Sequence, residues 1–546
     1  MQRLGQPPPG VKYFLALLFI ASTLIALYGQ FLTRPLVFDD YTYFGDNIGD
    51  DMKSLGGLAL RGFAIATYSW LRAALGDDLV WQHGANLVLH IANAWLLFAF
   101  LYRLFNATLA AEPSAGYNAA EPGPVALSWL AFFGAMWFAL NPVAVYGVAY
   151  LAQRTILMAT LFSLLTWVLF LEGLLRDQRR WLLASAATYL LAVLSKEHAI
   201  MVPAVSLALL GLMRKADRQG LMKVWPTFLL YGLVGTFTFF QIKAGGIVGR
   251  AYEPNGLDML AELAIDPQQA HALSVLTQGY LYFKYLLLWI VPNPGWMSVD
   301  MLEKFARSFL SWPQTLGLTA FATYAGLAVY LICQTGRTGL MGFAMLGPWL
   351  MFATELSTIR IQEPFVLYRS YLWMPCLVVA LPFLFQKVPL RYALIFFATV
   401  TFAQVAGSFN RLTTFSDPFL LWDDALRLAQ DKENISRLGR MYHNRGIELA
   451  KKKRYAEAFR DFDLGLKYLP KHSYLYNDRA VAYLETERYW EALKDYDMAI
   501  WYKSNYYNPY LGRAKVYEAL GDHAAARLDY ARSCQLGVDE VCHLGH

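Results

Sequence analysis

Long apolar stretches recur along the first three quarters of the chain. The first covers residues 11–32, and further stretches of similar length follow as far as residue 409. A helix that crosses a bilayer needs about 20 predominantly apolar residues. Counting such stretches predicts about eleven crossings, and so an all-α membrane domain over residues 1–410. The segment 273–291 contains Lys284 and is predicted to be re-entrant or interfacial, because a full crossing would move the C-terminus to the opposite side.

The pattern changes after residue 410, where charged residues become dense. Residues 434–546 hold 33 of the 88 charged side chains, and one sequence unit repeats there every 34 residues. The repeat has small residues at two fixed positions and a large aromatic residue at a third. The small positions are Gly446, Ala480 and Ala514, and Ala458, Ala492 and Ala526; the aromatic position is Phe462, Tyr496 and Tyr530. Each copy is predicted to form two amphipathic helices. Residues 436–546 are thus predicted to form a three-repeat tetratricopeptide (TPR) α-solenoid, after a linker helix at 411–435.

Repeat arrays of this kind bind an extended segment of a partner protein in a concave groove. Arg445, Arg479 and Arg513 recur at the same step, and two uses stay open for them. Either they line the groove and bind the partner, or they are solvated or structural charges. Cys534 and Cys542 lie near the end of the same region, where a disulfide and two free thiols are both compatible with the sequence.

Composition and charge narrow the class of protein. The chain is 57% hydrophobic and 16% charged, which is more apolar than a soluble domain of its size. Its net charge is +6, and no basic block stands out among the positive residues, so no nucleic-acid partner is expected. Arg3 and Lys12 place the N-terminus in the cytoplasm by the positive-inside rule. The loops 34–78 and 243–311 are then expected outside, and an odd number of crossings puts the repeat domain there too.

Two adjacent carboxylates, Asp39 and Asp40, directly follow the first apolar segment. Ionisable groups at a membrane boundary are costly, and they are common at functional sites. A carboxylate in such a place can deprotonate or orient an acceptor hydroxyl, so either residue is a candidate catalytic base. The alternative is a turn or helix cap, which aspartate often provides.

Four polar residues recur on one face of the second apolar segment: His83, Asn86, His90 and Asn93. Their offsets of 3, 7 and 10 put them on the same side of a helix. We expect them to line a cavity. The alternative is hydrogen bonding between membrane helices, a common use of histidine and asparagine in that setting.

Three cations, Arg154, Lys196 and Arg369, each lie at a predicted outer boundary of the membrane. Arginine and lysine are the residues that hold phosphate groups, so these three are candidates for binding a phosphate. The alternative is ordinary snorkelling of their side chains to the interface. Glu197, His198 and Tyr368 are expected to line the same site, and the sequence leaves the partner of Glu197 open.

The order of these motifs resembles a known family. Asp39-Asp40 is followed by His83-x-x-Asn86-x-x-x-His90, Asn141-Pro142-Val143, Arg154-Thr155, Ser195-Lys196-Glu197-His198 and the run Tyr368 to Pro375, with the repeats behind them. This order resembles the transmembrane and tetratricopeptide repeat family of GT-C glycosyltransferases. The chain departs from the family at Tyr368, where the family has glutamate. It departs again at Ala152-Gln153-Arg154-Thr155, where the family has Gly-Arg-Ala-Asp.

The resemblance implies an inverting transfer of one sugar from a polyprenyl-phosphate donor to Ser or Thr of a protein. The few repeats and the departures favour a bacterial member in the inner membrane, with the repeats in the periplasm and a secreted or surface protein, such as a pilin, as acceptor. A divalent cation, Mg²⁺ or Mn²⁺, stays open as a cofactor because no complete ligand set can be read. Two alternatives to an enzyme also stay open, a membrane-anchored TPR scaffold and a transporter of lipid-linked sugars.

Overall fold

The computed structural model describes residues 9–38, 40–44, 60–109, 125–214, 216–250, 256–429 and 435–545. In these ranges the regular structure is α-helix and short 3-10 helix, without a β-strand, which confirms the all-α prediction. The chain divides into two compact units. The first unit comprises Met1–Met297 and Glu303–Ser416, and the second comprises Ser298–Leu302 and Asp417–His546.

The first unit is built from helices of very different lengths, joined by turns and 3-10 segments. In chain order they are α1 (Pro9–Tyr28), α2 (Asp40–Phe44), α3 (Gly62–Leu75), α4 (Leu79–Leu109), α5 (Leu127–Leu140), α6 (Pro142–Val148), α7 (Arg154–Leu175), α8 (Arg179–Ser195), α9 (Val202–Leu212), α10 (Arg218–Ala244), α11 (Gly256–Glu262), α12 (Pro267–Ile290), α13 (Gln314–Ile332), α14 (Gly336–Phe352), α15 (Leu381–Phe385) and α16 (Leu390–Thr414).

Several of these helices are long and apolar enough to cross a membrane. Within the described ranges six meet that condition by length and composition, and a bent pair raises the number to seven. The six segments are Tyr13–Phe31, Leu79–Leu109, Leu151–Leu175, Gln314–Ile332, Gly336–Ser357 and Leu390–Thr414. The remaining apolar helices that the sequence counts as crossings do not meet the same condition. The segment around Lys284 forms one continuous helix, α12, and the Lys284 ammonium pairs with Glu303.

The bent pair is α5 and α6, whose axes meet at 61°. Proline has no amide hydrogen to donate to the preceding turn, so Pro142 ends α5 and starts α6. Asn141 stabilises the bend twice. Its Oδ1 accepts from the backbone N of Val143 at 3.1 Å, and its Nδ2 donates to the carbonyl of Trp289 at 3.0 Å.

The second unit contains three successive helix pairs, preceded by α17 (Pro418–Ala429). The pairs are α18 (Ile435–Lys451) with α19 (Tyr455–Tyr468), α20 (Ser473–Glu485) with α21 (Tyr489–Tyr502), and α22 (Tyr507–Ala519) with α23 (His523–Gln535). The small and aromatic positions of the 34-residue repeat form the contacts inside each pair. In the middle pair Ala480, Ala492 and Tyr496 are fully buried against one another. The sequence assigns residues 411–435 to a linker helix, and in the structure the helix Pro418–Ala429 within that range belongs to the second unit.

A short segment from an earlier part of the chain, Ser298–Leu302, also belongs to the second unit. The buried carboxylate of Asp300 pairs with Arg437 and Arg440 of α18. Burial alone would raise the pKa of Asp300, but the two guanidinium groups outweigh it and hold the pKa below its usual value. At the other end of the unit, Cys534 and Cys542 form a disulfide, one of the two states that the sequence leaves open.

The tight contact around Ala492 predicts the effect of enlarging it. We expect Ala492→Leu to lower the free energy of unfolding of the second unit by about 1–3 kcal/mol, because three added carbons do not fit a filled contact. Ala524→Leu is the matched control, since Ala524 is exposed at α23. Hydrogen–deuterium exchange across α20 and α21 measures the effect in the full chain. Equal exchange in the two variants would contradict the packing described here.

Candidate functional site

Charged side chains from distant parts of the first unit meet at one buried place, which we call the charge cluster. Its members are Arg61, Lys196, Glu197, His198, Glu355, Arg360 and Arg369. The helix α8 ends at Ser195, whose hydroxyl donates to the carbonyl of Leu191. Lys196 then takes an extended conformation before the 3-10 segment Glu197–Met201 begins. This change of backbone directs three consecutive ionisable side chains into the cluster.

Glu197 is held by Arg61, which lies 136 residues earlier, directly before α3. Arg61 Nε donates to Glu197 Oε2 at 2.9 Å, and a second guanidinium nitrogen bonds Oε1, so the pair is bidentate. Burial alone would raise the pKa of Glu197. Arg61 and His198 outweigh that effect and keep the pKa well below its usual value.

Glu355 gathers three cationic or ionisable partners, although only 1% of its surface is exposed. Its Oε1 lies 3.2 Å from His198 Nε2, and its Oε2 lies 3.4 Å from Arg360 Nε and 3.3 Å from Arg369 Nη1. The other ring nitrogen of His198 lies 3.4 Å from Glu197 Oε1. The imidazole is therefore set between two carboxylates, and the two halves of the cluster are joined through it.

Lys196 has a different environment from the other cations. Its Nζ donates to Gln153 Oε1 at 3.4 Å and lies 5.5 Å from the centre of the Tyr368 ring. Burial lowers the pKa of Lys196 to about 7. The positive charges of Arg61 and Arg369 act in the same direction, while Glu197 and Glu355 oppose them.

A cavity of about 180 Å³ opens beside the cluster. Arg61, Glu197, His198 and Arg360 line its charged side. Its other side is mostly apolar, built from the end of α10 and the residues around it: Ile200, Met201, Phe239, Ile242, Ile247 and Val248. A site with this division suits a ligand that has an anionic group attached to a hydrocarbon chain.

Arg154, the third predicted phosphate ligand, lies in a separate hydrogen-bonded group. Its guanidinium donates to Asn86 Oδ1 at 2.9 Å and to both the carbonyl and the side-chain oxygen of Gln82 at 2.8 Å. The guanidinium carbon also lies 4.3 Å from the centre of the Tyr68 ring. These contacts join α7 to α3 and α4. The structure thus brings Lys196 and Arg369 together and leaves Arg154 with other partners.

Of the two carboxylates that follow α1, Asp40 is the one whose position the structure describes. Asp39 lies outside the described residues. The Asp40 side chain is fully buried, and both of its oxygens accept backbone amides. Oδ1 accepts from Ala152 at 2.7 Å and Oδ2 accepts from Val37 at 3.1 Å. Asp40 thereby ties the start of α2 to the turn that carries Gln153 and Arg154, which is the capping use that the sequence leaves open.

The polar face of α4 forms hydrogen bonds to neighbouring helices. His83 bonds the side chain and carbonyl of Arg34, and Asn86 bonds Arg154 and the carbonyl of Val148. His90 Nε2 donates to the carbonyl of Ala139 at 2.9 Å, so Nδ1 accepts from the Tyr371 hydroxyl at 2.6 Å. Asn93 donates to Leu157 and to the same hydroxyl. This is the alternative use named for these residues, and none of the four lines the cavity described above.

The repeated arginines of the second unit are paired with acidic residues inside that unit. Each donates two hydrogen bonds to the buried aspartate 16 positions later and one to a second aspartate: Arg445 to Asp461 and Asp423, Arg479 to Asp495 and Asp463, Arg513 to Asp529 and Asp497. Hydrogen bonding to these carboxylates raises the pKa of all three arginines above the usual value. This geometry matches the structural use that the sequence leaves open.

Three members of the charge cluster are absent from the sequence-derived candidates: Arg61, Glu355 and Arg360. Glu355 carries a readable signal, because it is an acidic residue at the end of an apolar helix, as Asp39 and Asp40 are. Arg61 carries none, since its partner is far away in the sequence. No group of three or more His, Cys, Asp or Glu side chains within the described ranges is arranged to hold a metal ion.

The hydrogen bonds of Arg154 join α7 to α4, so removal of one of them is predicted to destabilise the protein. We expect Asn86→Leu to lower the free energy of unfolding by about 1.5–3 kcal/mol, because a buried charged group loses a hydrogen bond. Val88→Leu is the control on the same helix, since Val88 is 65% exposed. Thermal unfolding of the detergent-solubilised protein measures both. An Asn86→Leu protein as stable as the control would mean that Gln82 and Tyr68 suffice to hold Arg154.

No model of a protein family matches the chain, and no curated protein matches it.

Proposed function

We propose that the chain is an inverting membrane glycosyltransferase that moves one sugar from a polyprenyl-phosphate donor to Ser or Thr of a secreted or surface protein. The observation that carries the proposal is the cavity whose one side is charged and whose other side is apolar. A polyprenyl-phosphate sugar has an anionic phosphate between a sugar and a long hydrocarbon chain. The charged side suits the phosphate, and the apolar side suits the first part of the lipid.

Arg360, Arg369 and Lys196 are proposed to hold the phosphate as the sugar leaves it. Arg360 lines the cavity, and Arg369 shares the carboxylate of Glu355 with it. An arginine carries five N–H donors, so it can serve a carboxylate such as Glu355 and a phosphate at the same time. In the transfer a base takes the proton from the acceptor hydroxyl, whose oxygen forms a new bond to the anomeric carbon. The old bond between that carbon and the phosphate oxygen breaks, and its electron pair stays with the lipid phosphate.

The base is proposed to be Asp39, on the sequence argument alone. Asp40 is proposed to position the turn before α7, because both of its oxygens are used by backbone amides. In the finer architecture that goes with this function, the first unit is a GT-C-like membrane body of about eleven crossings. The second unit is a TPR solenoid that recruits the acceptor, such as a pilin, and raises its effective concentration.

The proposed location is a bacterial inner membrane, with the N-terminus in the cytoplasm and the second unit in the periplasm. The apolar helices support a membrane location. The disulfide between Cys534 and Cys542 supports an oxidising compartment for the second unit, because such bonds rarely persist in the cytoplasm. The charged cavity favours an enzyme over a membrane-anchored scaffold, which needs no such site.

Removal of one cavity arginine tests the proposal. We expect Arg360→Gln to lower sugar transfer about tenfold to a hundredfold, because the phosphate loses a charged hydrogen-bond donor. Intact-mass spectrometry of secreted and surface proteins measures the sugar-sized mass on the acceptor. Arg454→Gln is the matched control, since Arg454 pairs with Glu457 on the exposed surface of the second unit. Unchanged acceptor masses at normal protein abundance would count against the enzyme.

The two aspartates are expected to give different results. Asp39→Asn should abolish the sugar-sized mass while the protein keeps its normal abundance. Asp40→Asn should lower the free energy of unfolding by about 1–3 kcal/mol, because an amide NH₂ would face a backbone N–H in place of an acceptor oxygen. Abundance, thermal unfolding and acceptor mass together separate the two effects. If Asp39→Asn transfers sugar normally, the base lies elsewhere in the protein.

A further inference from the structure

The carboxylates of the charge cluster are engaged by partners other than Lys196. Glu197 is bound bidentately by Arg61 and also faces His198. Glu355 faces His198, Arg360 and Arg369. Lys196 is the member of the cluster for which no carboxylate oxygen of the described residues lies within salt-bridge distance.

Among the described residues, no carboxylate pairs directly with the Lys196 ammonium group to balance its charge. The side chain is buried, with 6% of its surface exposed. Its neighbours are one amide oxygen, that of Gln153, and the face of the Tyr368 ring. A buried ammonium group without an anion is unfavourable, and such a lysine loses its proton or gains an anionic partner. The charged groups that act on it from the surrounding elements are Arg61, Glu197, Arg369 and Glu355. His198 and Arg360 contact Glu355.

The position of Lys196 in the chain connects it to the cavity. The two residues that follow it, Glu197 and His198, both line the cavity wall. The charges of Arg61 and Glu197, which both line the cavity, act on Lys196, so an anion bound beside them would act on it as well. The low pKa of Lys196, about 7, means that the free side chain is close to half protonated at neutral pH, so a nearby anion would draw in a proton.

We propose that binding of the donor's phosphate group completes the charge balance of Lys196, so that a lysine that is neutral in the free protein takes up one proton from solvent onto its Nζ. This inference rests on the proposed function, because it takes the anion to be the phosphodiester of the lipid-linked donor. Lys196 thus becomes the counter-ion of the phosphate when the phosphate binds.

The sign of the pH effect follows from this linkage. Below pH 7 the free lysine already carries its proton, so binding takes up little. Above pH 7 the free lysine is neutral, so uptake approaches one proton. Phosphate binding then weakens by about tenfold for each pH unit above 7, until the pH reaches the raised pKa of the bound state.

The experiment is calorimetric titration of the full-length protein in lipid nanodiscs. The probe is farnesyl methyl phosphate, a phosphodiester that carries one negative charge at every pH used. Titrations at pH 8 are repeated in buffers of different ionisation enthalpy, because the slope of observed heat against that enthalpy counts the protons taken up. We expect uptake of about 0.9 proton per bound probe in the wild type.

Three variants make the result specific. Lys196→Arg keeps a permanent charge, so it should bind the probe with no proton uptake and with a flat pH dependence from 7 to 9. Lys196→Met should bind more weakly, also without uptake. Lys284→Arg is the matched control, because Lys284 already pairs with Glu303 and lies outside the charge cluster, and it should behave as the wild type.

The outcomes separate this inference from the proposed function. A wild-type protein that binds the probe at pH 8 without proton uptake overturns the role of Lys196 and leaves the phosphate site standing. Proton uptake that persists in Lys196→Arg assigns the proton to another group and also overturns it. A wild-type protein that binds no probe at pH 7 or pH 8 overturns the phosphate site and this inference together.

Discussion

A carboxylate that is buried among apolar helices needs cationic partners, and Glu355 takes its partners from separate segments of the chain. Taking an acidic group out of water is costly unless well-placed cations and hydrogen bonds compensate. The partners of Glu355 come from the segment after α8 and from the loop after α14. Pairing thus helps to hold that loop against the 3-10 segment that follows α8. The cavity inherits its charged side from this arrangement, because His198 and Arg360 are both partners of Glu355 and part of the wall.

The second unit uses the same principle in a periodic form. Arg479 donates to Asp495 of its own helix pair and to Asp463 of the preceding pair. Arg479 and Arg513 therefore join consecutive pairs, and Arg445 joins the first pair to α17. Since every arginine is offset from its partner by a fixed number of residues, the ion pairs have the same period as the packing. Substitution of Arg479 would therefore leave an aspartate without its partner in two consecutive pairs.

What the sequence predicts well is what depends on neighbours along the chain. Apolar stretches and the 34-residue period reflect contacts within one helix or between adjacent helices, so the helices and the three helix pairs follow from them. The direction of a side chain where a 3-10 segment meets an α-helix does not follow from such patterns. Gln153 faces Lys196 while Arg154 faces Asn86, although the two residues are adjacent. Arg61 could not be found from spacing at all, because its partner lies 136 residues away. Asp40 was readable as a candidate, but the choice between base and cap depended on which amides lay opposite it.

The segment that carries Asp300 has a consequence for how the repeats can be inherited. Asp300 and Arg437 lie 137 residues apart in the chain, yet both belong to the second unit. A gene fragment that encodes only the C-terminal repeats would leave the buried Arg437 without its carboxylate. Recombination at one boundary therefore cannot move the repeat array to another protein together with the carboxylate that pairs with Arg437. Transfer of the repeats with these ion pairs intact requires the stretch of chain that contains Asp300 as well.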